Sequence, residues 1–356
     1  MANTAYTLVV VIATVFILYM TKALMLPFVV AVLIWYFIKD IRDFLAQNRF
    51  FRDKLPKWLQ NLMVFGLIFV VLSVVVRMLT SSIEDFSDKL PDYQQNIETV
   101  NQNLIEQYRF DLLAYIQKYT GNFDFTSLIE PVFNSLSQLF SNGFMIIIYV
   151  IFLMMEESTF AVKHRVFFRN PGKYVQSRAL LHEIDASFSR YILIKTFTSL
   201  ITATLGYLVL RFSSCGHPLL WASIIFLLNY IPNIGSLIAT FFPAIIAVLQ
   251  TGTVAAGLWV LVGVGTIQVL VGNFLEPKLM GDSLNISPLV VILSLVAWGA
   301  IWGILGMVLS VPIMVMFIIV CSKFEASRPI AILLSENGLI NKPDHKKPLE
   351  NERGEV

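Results

Sequence analysis

Long, mostly apolar segments alternate with short polar segments along most of the chain. An apolar segment of about 20 residues is the length that an α-helix needs to cross the acyl core of a bilayer. The pattern therefore predicts an all-α, polytopic membrane protein with about eight spans, in which the shorter segments are candidates for re-entrant helices. The apolar segments are 7–21, 23–38, 59–79, 142–157, 191–211, 217–231, 234–250, 253–272 and 288–320.

The last apolar segment is too long for one straight span. As a single helix its 33 residues would extend about 50 Å, against an acyl core of about 30 Å. Glycines near its middle and a proline predict a helical hairpin or a broken helix, although the GxxxG pair Gly299 and Gly303 fits a close helix crossing equally well. The helix-breaking or small residues of this segment are Pro288, Gly299, Gly303, Gly306 and Pro312.

Polar residues gather around two predicted helix breaks in the second half of the chain. Broken helices inside a membrane bundle are tolerated where they line a cavity, and in transporters they often mark the binding site. The alternative is that each polar residue serves packing alone. The first break carries Asn229, Pro232, Asn233, Gly235 and Pro243, and the second carries Gln268, Asn273, Glu276, Lys278 and Asp282.

The charged residues of the second break have two interpretations. A carboxylate close to hydrocarbon can carry a proton or a cation, so Glu276 is the candidate carrier and Lys278 its resting partner. Alternatively, the segment is a cytoplasmic turn whose charges reach water. Lys195 enters another apolar segment one turn deep, and it either snorkels to the surface or faces a pore.

The charges of the polar segments orient the chain. Six basic residues lie between 39 and 57 and six more between 158 and 190, whereas 80–140 holds three basic residues against nine acids. The positive-inside rule then places the first two segments and both termini in the cytoplasm, and 80–140 outside an inner (plasma) membrane. The apolar residues of Tyr174–Tyr191 predict an amphipathic helix at the membrane surface.

These features divide the chain into six predicted regions. Within 80–140 the apolar residues from Ile83 to Leu104 repeat in a heptad-like stripe, which fits either a helical hairpin within one subunit or contacts in a homo-oligomer. The regions are an N-terminal membrane hairpin and third span (1–79), an external helical region (80–140), a fourth span (141–157), a cytoplasmic amphipathic linker (158–190), a C-terminal transport bundle (191–322) and a cytoplasmic polar tail (323–356).

Composition excludes several other classes of function. The chain is 56% hydrophobic and 14% charged with a net charge of +2, and no basic run with interleaved aromatics suggests nucleic acid as a partner. Cys215 and Cys321 are far apart and have no metal-ligand spacing, so no metal or cofactor is predicted. Catalytic motifs such as HExxH and GxSxG are absent, and Gly281-Asp282 is only a fragment of an aspartyl-protease motif, so an enzyme is not predicted.

Two stretches resemble the autoinducer-2 exporter (AI-2E) family of transporters or permeases. YIPNIGSLIATFFPAIIAVLQ is similar to the family's proline-glycine-proline segment, and NFLEPKLMGDSLNISPLVVILSLVAWGAIWGILGMVLSVPI is similar to its EPK and glycine-rich C-terminal part. The chain departs from common family residues at Lys195, Ser287 and Trp298-Gly299. The resemblance implies a homo-oligomer that exports a quorum signal or exchanges sodium for protons.

Together these observations predict a membrane transporter that exports a small polar solute, one similar to autoinducer-2 if the resemblance holds. Its partners would be that small molecule or a cation, and the lipid bilayer. A sodium (cation)/proton antiporter is the first alternative. The second is a membrane scaffold that transports nothing and binds a partner through its external helices.

Overall fold

A computed structural model describes residues 2–48, 55–88, 142–213, 215–281 and 285–338, together with isolated positions between 101 and 114. Every regular element in these ranges is helical, which confirms the all-α prediction. The helices are α1 (Ala2–Met20), α2 (Lys22–Leu45), α3 (Lys57–Asp88), α4 (Gly143–Phe167), α5 (Pro171–Phe212), α6 (Pro218–Leu228), α7 (Ile234–Thr251), α8 (Val254–Leu270), a π-helical turn (Val271–Leu275), α9 (Glu276–Met280), α10 (Pro288–Trp302), α11 (Ile304–Lys323) and α12 (Arg328–Leu334).

The helices that are long and apolar enough to cross a membrane are fewer than the predicted spans. Among the described residues there are five, or six if the two parts of α4, which meet at a bend of 61°, form one span. The predicted number of about eight is therefore not confirmed, because several apolar segments form shorter helices such as α6 and α10. The five helices are Lys22–Leu45, Pro171–Phe212, Ile234–Thr251, Val254–Met280 and Ile304–Lys323.

The long C-terminal apolar segment forms a helical hairpin of α10 and α11. Gly303 makes the turn with a φ of 66°, a conformation that glycine adopts without strain. Gly306 then lets the two helices touch, since a Cβ there would lie 2.0 Å from the Trp298 carbonyl oxygen. Pro312 does not break the helix, because α11 continues through it. The hairpin alternative is thus the observed one.

A second hairpin is formed by α6 and α7. Its turn, residues 229–233, coincides with the first predicted break, and Asn233 adopts a positive φ of 57° there. The other ends of the two helices also meet, since the Gly216 N–H donates a hydrogen bond to Gln250 Oε1. Both helices therefore start and finish at the same end of the bundle, and their turn lies in its interior beside α5. Pro243 is buried within α7 and does not interrupt it.

Ion pairs at the opposite end of the bundle join the N-terminal helices to the rest. Arg42 of α2 pairs with Glu157 of α4, and Lys39 of α2 pairs with Asp185 of α5. Lys323 at the end of α11 pairs with Glu183. We call these three ion pairs the charged layer. Because solvent-accessible ion pairs gathered at one level belong near a membrane surface, the charged layer marks one face of the bundle.

One helix, α5, contains most of the predicted linker 158–190 and the predicted span that follows it. The 42 residues of α5 extend about 63 Å, so the predicted amphipathic helix Tyr174–Tyr191 is its first half and continues directly into the apolar half. The Asn170 side chain caps its start by accepting hydrogen bonds from the Gly172 and Lys173 N–H groups. Most of 80–140, including most of the heptad-like stripe, and the tail beyond 338 lie outside the described residues.

Close contacts between helix backbones should make two glycines sensitive to substitution. At Gly235 a Cβ would lie 1.8 Å from the Leu228 carbonyl oxygen, whereas a Cβ at Gly66 in α3 meets nothing within 4 Å. We expect Gly235→Ala and Gly306→Ala each to reduce the free energy of unfolding by about 2–3 kcal/mol, because the hairpin arms must separate. The measurement is chemical unfolding in detergent micelles. Gly66→Ala is the control, and equal stability of all three variants would contradict the close packing of the hairpins.

Candidate functional site

A buried ion pair joins α5 to α9 in the interior of the bundle. Lys195 Nζ lies 2.6 Å from Glu276 Oε1, and the two side chains are only 7% and 16% exposed. Along α5, Lys195 lies ten residues beyond Asp185, which places the pair about 15 Å from the charged layer. Desolvating two charges costs several kcal/mol per ion, so a pair at this depth needs close geometry and polar neighbours.

The π-helical turn sets the position of Glu276. The Glu276 N–H donates to the carbonyl oxygen of Val271, five residues earlier. The next residue, Pro277, has no N–H, and its ring would clash with the carbonyl four residues earlier in a regular α-helix. The wider turn accommodates this proline without ending the helix. Residues Val254–Met280 therefore form one continuous rod, and the second predicted break is a π turn.

The first predicted break meets α5 at the same level as the ion pair. The Asn229 Nδ2 group donates to Ser199 Oγ at 3.1 Å. The hydroxyls of Tyr230 and Thr196 form a hydrogen bond of 2.7 Å. The side-chain partners from both breaks thus lie on consecutive turns of α5, between residues 195 and 199.

Two more polar side chains of the interior are buried with atoms that have no hydrogen-bond partner among the described residues. Tyr191, one turn before Lys195, lies within electrostatic reach of Glu276, and its hydroxyl is unpaired. Gln268 Nε2 on α8 is also unpaired. Such groups usually find a partner when buried, so they are available to a polar ligand. We define the polar layer as Tyr191, Lys195, Thr196, Ser199, Asn229, Tyr230 and Glu276.

The polar layer contains only part of the set predicted from sequence. Of the ten candidate residues, Asn229 and Glu276 belong to it, and Pro232, Asn233 and Gly235 shape the turn beside it. Gln268 lies on α8 about two turns before Glu276, and Pro243 lies in the middle of α7. The side chains of Asn273 and Lys278 are exposed, whereas Asp282 lies outside the described residues.

The predicted partner of Glu276 is wrong. Residues two apart on a helix do not face each other, and Lys278 accordingly points away from Glu276. The partner is Lys195, which the sequence interpretation treated as a snorkelling or pore-facing residue. Its side chain is buried and paired, so it does not reach the surface.

Sequence reasoning missed several polar residues of α5 and the turn. Tyr191, Thr196, Ser199 and Tyr230 were not singled out, although Tyr191, Lys195 and Ser199 repeat every four residues in an otherwise apolar helix. That spacing places them on one side of α5. It is the signal that could have identified this side as the lining of a polar site.

No group of three or more His, Cys, Asp or Glu side chains in the described ranges has the geometry to hold a metal ion. Cys215, between α5 and α6, is a buried thiol whose pKa is raised to about 12 by burial. It is therefore protonated at neutral pH and is a poor nucleophile. The chemistry available in the interior is hydrogen bonding, charge pairing and proton transfer.

The chain is similar in sequence to known transport proteins. A family profile described as "AI-2E family transporter" matches residues 8–325. The chain is 30% identical over 317 residues to the Escherichia coli protein named "AI-2 transport protein TqsA", covering 88% of this chain and 90% of the relative. It is also 30% identical over 323 residues to a Haemophilus influenzae protein named only as a candidate transport protein, again covering 88% and 90%.

The buried pair should show strong energetic coupling. Removing one partner leaves an unpaired charge in the interior, so we expect Lys195→Met or Glu276→Leu alone to lower the free energy of unfolding by about 3 kcal/mol. The double variant should recover most of this loss, because two apolar groups replace two charges. The measurement is a double-mutant cycle by unfolding in detergent.

The exposed pair of Lys323 and Glu183 is the matched control for this cycle. Its side chains are 31% and 46% exposed, so solvent screens the interaction and we expect a coupling below about 1 kcal/mol. Equal coupling energies for the two pairs would contradict the burial of Lys195 and Glu276.

Proposed function

This chain belongs to the AI-2E family of membrane transporters, and we propose that it exports a small polar solute similar to autoinducer-2 across an inner membrane. The observation that carries the proposal is that Asn229 and Tyr230, from the turn between α6 and α7, and Glu276 all contact one side of α5. The name of the Escherichia coli relative supports the solute class. The positive-inside distribution supports cytoplasmic termini and a cytoplasmic charged layer.

The polar layer offers groups that suit a small hydroxyl-rich solute. Amide and hydroxyl groups both donate and accept, and here they come from α5 and from the turn between α6 and α7. In the described conformation they satisfy each other, as in the bonds Asn229–Ser199 and Tyr230–Thr196. A solute with several hydroxyls replaces these bonds one for one, which keeps the desolvation cost low when it enters.

Entry of the solute requires the hairpin turn to move away from α5. The described conformation is closed at this level, since the polar groups are bonded across the contact and Lys195 is buried beneath them. In the proposed cycle the turn separates from α5, and the solute takes up the released donors and acceptors. The turn is a natural point of opening because its five residues 229–233 have left regular helical geometry.

Removing the hydroxyls that form one of these contacts should slow solute transport. We expect Thr196→Val/Tyr230→Phe to reduce autoinducer-2 flux about tenfold, because lost hydrogen bonds of about 1 kcal/mol each weaken solute binding in the site. The measurement is counterflow in proteoliposomes with purified full-length protein.

Ser223→Ala is the matched control for the flux experiment. Its hydroxyl lies on α6 and donates only to the Leu219 carbonyl of its own helix, so flux should be unchanged. Equal flux in the double variant and the parent would remove the polar layer from the solute path. A parent with no flux of any solute would favour the scaffold alternative.

We propose cation/proton antiport as the second candidate, because the Lys195–Glu276 pair favours it specifically. A cation that binds Glu276 competes with the Lys195 ammonium, and the site keeps its net charge if Lys195 loses its proton at the same time. The buried position matters here, since an unbalanced charge in a low-dielectric interior is costly. One cation bound at the Glu276 carboxylate is then exchanged for one proton released by Lys195.

The antiport candidate predicts that Glu276 is essential for cation-driven proton movement. In proteoliposomes with an imposed pH gradient, adding sodium or potassium should release protons in the parent, and Glu276→Gln should abolish this because a neutral amide cannot hold the cation. Glu183→Gln, which breaks the exposed pair in the charged layer, is expected to behave like the parent. Cation-dependent proton movement that persists in Glu276→Gln would rule out this mechanism.

A further inference from the structure

The connection between α4 and α5 extends beyond the charged layer as a folded tip. Glu157, which pairs with Arg42 in the charged layer, ends the straight part of α4. The following residues, Thr159–Phe167, turn by 61° from the direction of Gly143–Glu157. Thr159–Phe167 therefore departs from the line of the rest of α4 next to the charged layer. We call residues 159–182 the α4–α5 tip.

A small aromatic cluster holds the tip together. The His164 ring lies between the rings of Phe168 and Tyr174, with centroid distances of 5.1 and 5.2 Å. His164 Nε2 is also hydrogen-bonded to Ser177 Oγ at 2.9 Å. These contacts attach the end of α4 to the first two turns of α5. The end of α4 and the start of α5 therefore pack together within the tip.

The bent segment of α4 exposes several large apolar side chains. Phe167 is 80% exposed, and Val162 and Val166 are 65% and 66% exposed. With Phe160 they occupy about half of the helix circumference, at about 100° per residue. In water this amount of apolar surface on a single two-turn helix is unfavourable. An amphipathic helix at the headgroup boundary buries the same kind of surface in the acyl region.

The charge of the tip is entirely positive. Residues 158–182 contain five Lys or Arg and no Asp or Glu. Lys163 pairs with Glu156, just outside this segment. The other four are exposed and have no carboxylate partner in the part of the chain that the structure describes. They are Arg165, Arg169, Lys173 and Arg178.

We propose that the α4–α5 tip is a binding surface for anionic phospholipid headgroups of the adjacent leaflet. Val162, Val166 and Phe167 enter the boundary between headgroups and acyl chains, and the guanidinium groups of Arg165 and Arg169 bind phosphate oxygens. The charge complementarity selects this partner over a second copy of the chain, because two such tips would repel each other. Basic residues near an anionic membrane strengthen binding by about fivefold each.

The proposal is tested by the depth of a spin label at position 167. Full-length protein carrying Phe167→Cys, with Cys215→Ala and Cys321→Ala, is labelled and reconstituted into nanodiscs of phosphatidylcholine with and without phosphatidylglycerol. We expect phosphatidylglycerol to increase collisions of the label with oxygen and to reduce collisions with a water-soluble nickel chelate. The change is measured as a function of the phosphatidylglycerol fraction of the nanodiscs. Adding Arg165→Gln/Arg169→Gln should weaken the binding obtained from this curve at least tenfold.

The matched charge control is Lys22→Gln/Arg211→Gln, which removes two exposed cations at the opposite end of the bundle and should leave the change intact. A label that remains in water in both lipids would overturn the proposal. So would a label that is shielded equally in both lipids and shows spin–spin broadening, since a second copy of the chain would then cover the face. A lipid-dependent change that survives Arg165→Gln/Arg169→Gln would also refute headgroup recognition by these arginines.

Discussion

The arrangement of the interior depends on the cost of burying charge. Lys195 and Glu276 lie deep in an apolar bundle, and neither is tolerated there without the other. This requirement holds α5 against the rod Val254–Met280 at one fixed register. The hairpin of α6 and α7 fits into the same place, with its turn side chains bonded to the next turn of α5.

The two helical hairpins have different consequences for the interior. In α10 and α11 the turn is a single glycine, the arms touch through backbone at Gly306, and the Ser294 hydroxyl of α10 donates to the Ser310 carbonyl oxygen of α11. In α6 and α7 five residues form the turn, and Asn229 and Tyr230 project from it towards α5. The first hairpin is a packing element, and the second brings hydrogen-bonding groups to a depth that a surface loop does not reach.

The sequence predicted the places where the backbone leaves a helix better than the partners of its side chains. Glycine at 303 and the Pro-Asn pair at 232–233 have strong local preferences, so both turns could be located. Pro243 and Pro312 were interpreted as breaks, but packing in the bundle keeps both of them inside a helix. Local preference does not report how neighbouring helices support a missing hydrogen bond.

Partner choice was harder to predict because it depends on distant segments. Lys278 is close to Glu276 in sequence, but helix geometry points its side chain elsewhere. The partner, Lys195, lies on α5, which is far from Glu276 in sequence. The hydroxyls of Thr196 and Ser199 have no distinctive neighbours in sequence, and only the position of the hairpin turn gives them a role. A polar stripe on an apolar helix shows that some partner exists without identifying it.

The π turn before Glu276 decides which side of the rod carries its carboxylate. A π turn contains one residue more than an α-helical turn, so it rotates the residues after it by about 100° relative to an uninterrupted α-helix while the rod stays continuous. Glu276 lies immediately after this turn and faces Lys195. With a regular α-helical turn in its place, the same carboxylate would lie on a neighbouring side of the rod, so one extra backbone residue selects the surroundings of the only acidic group in the polar layer.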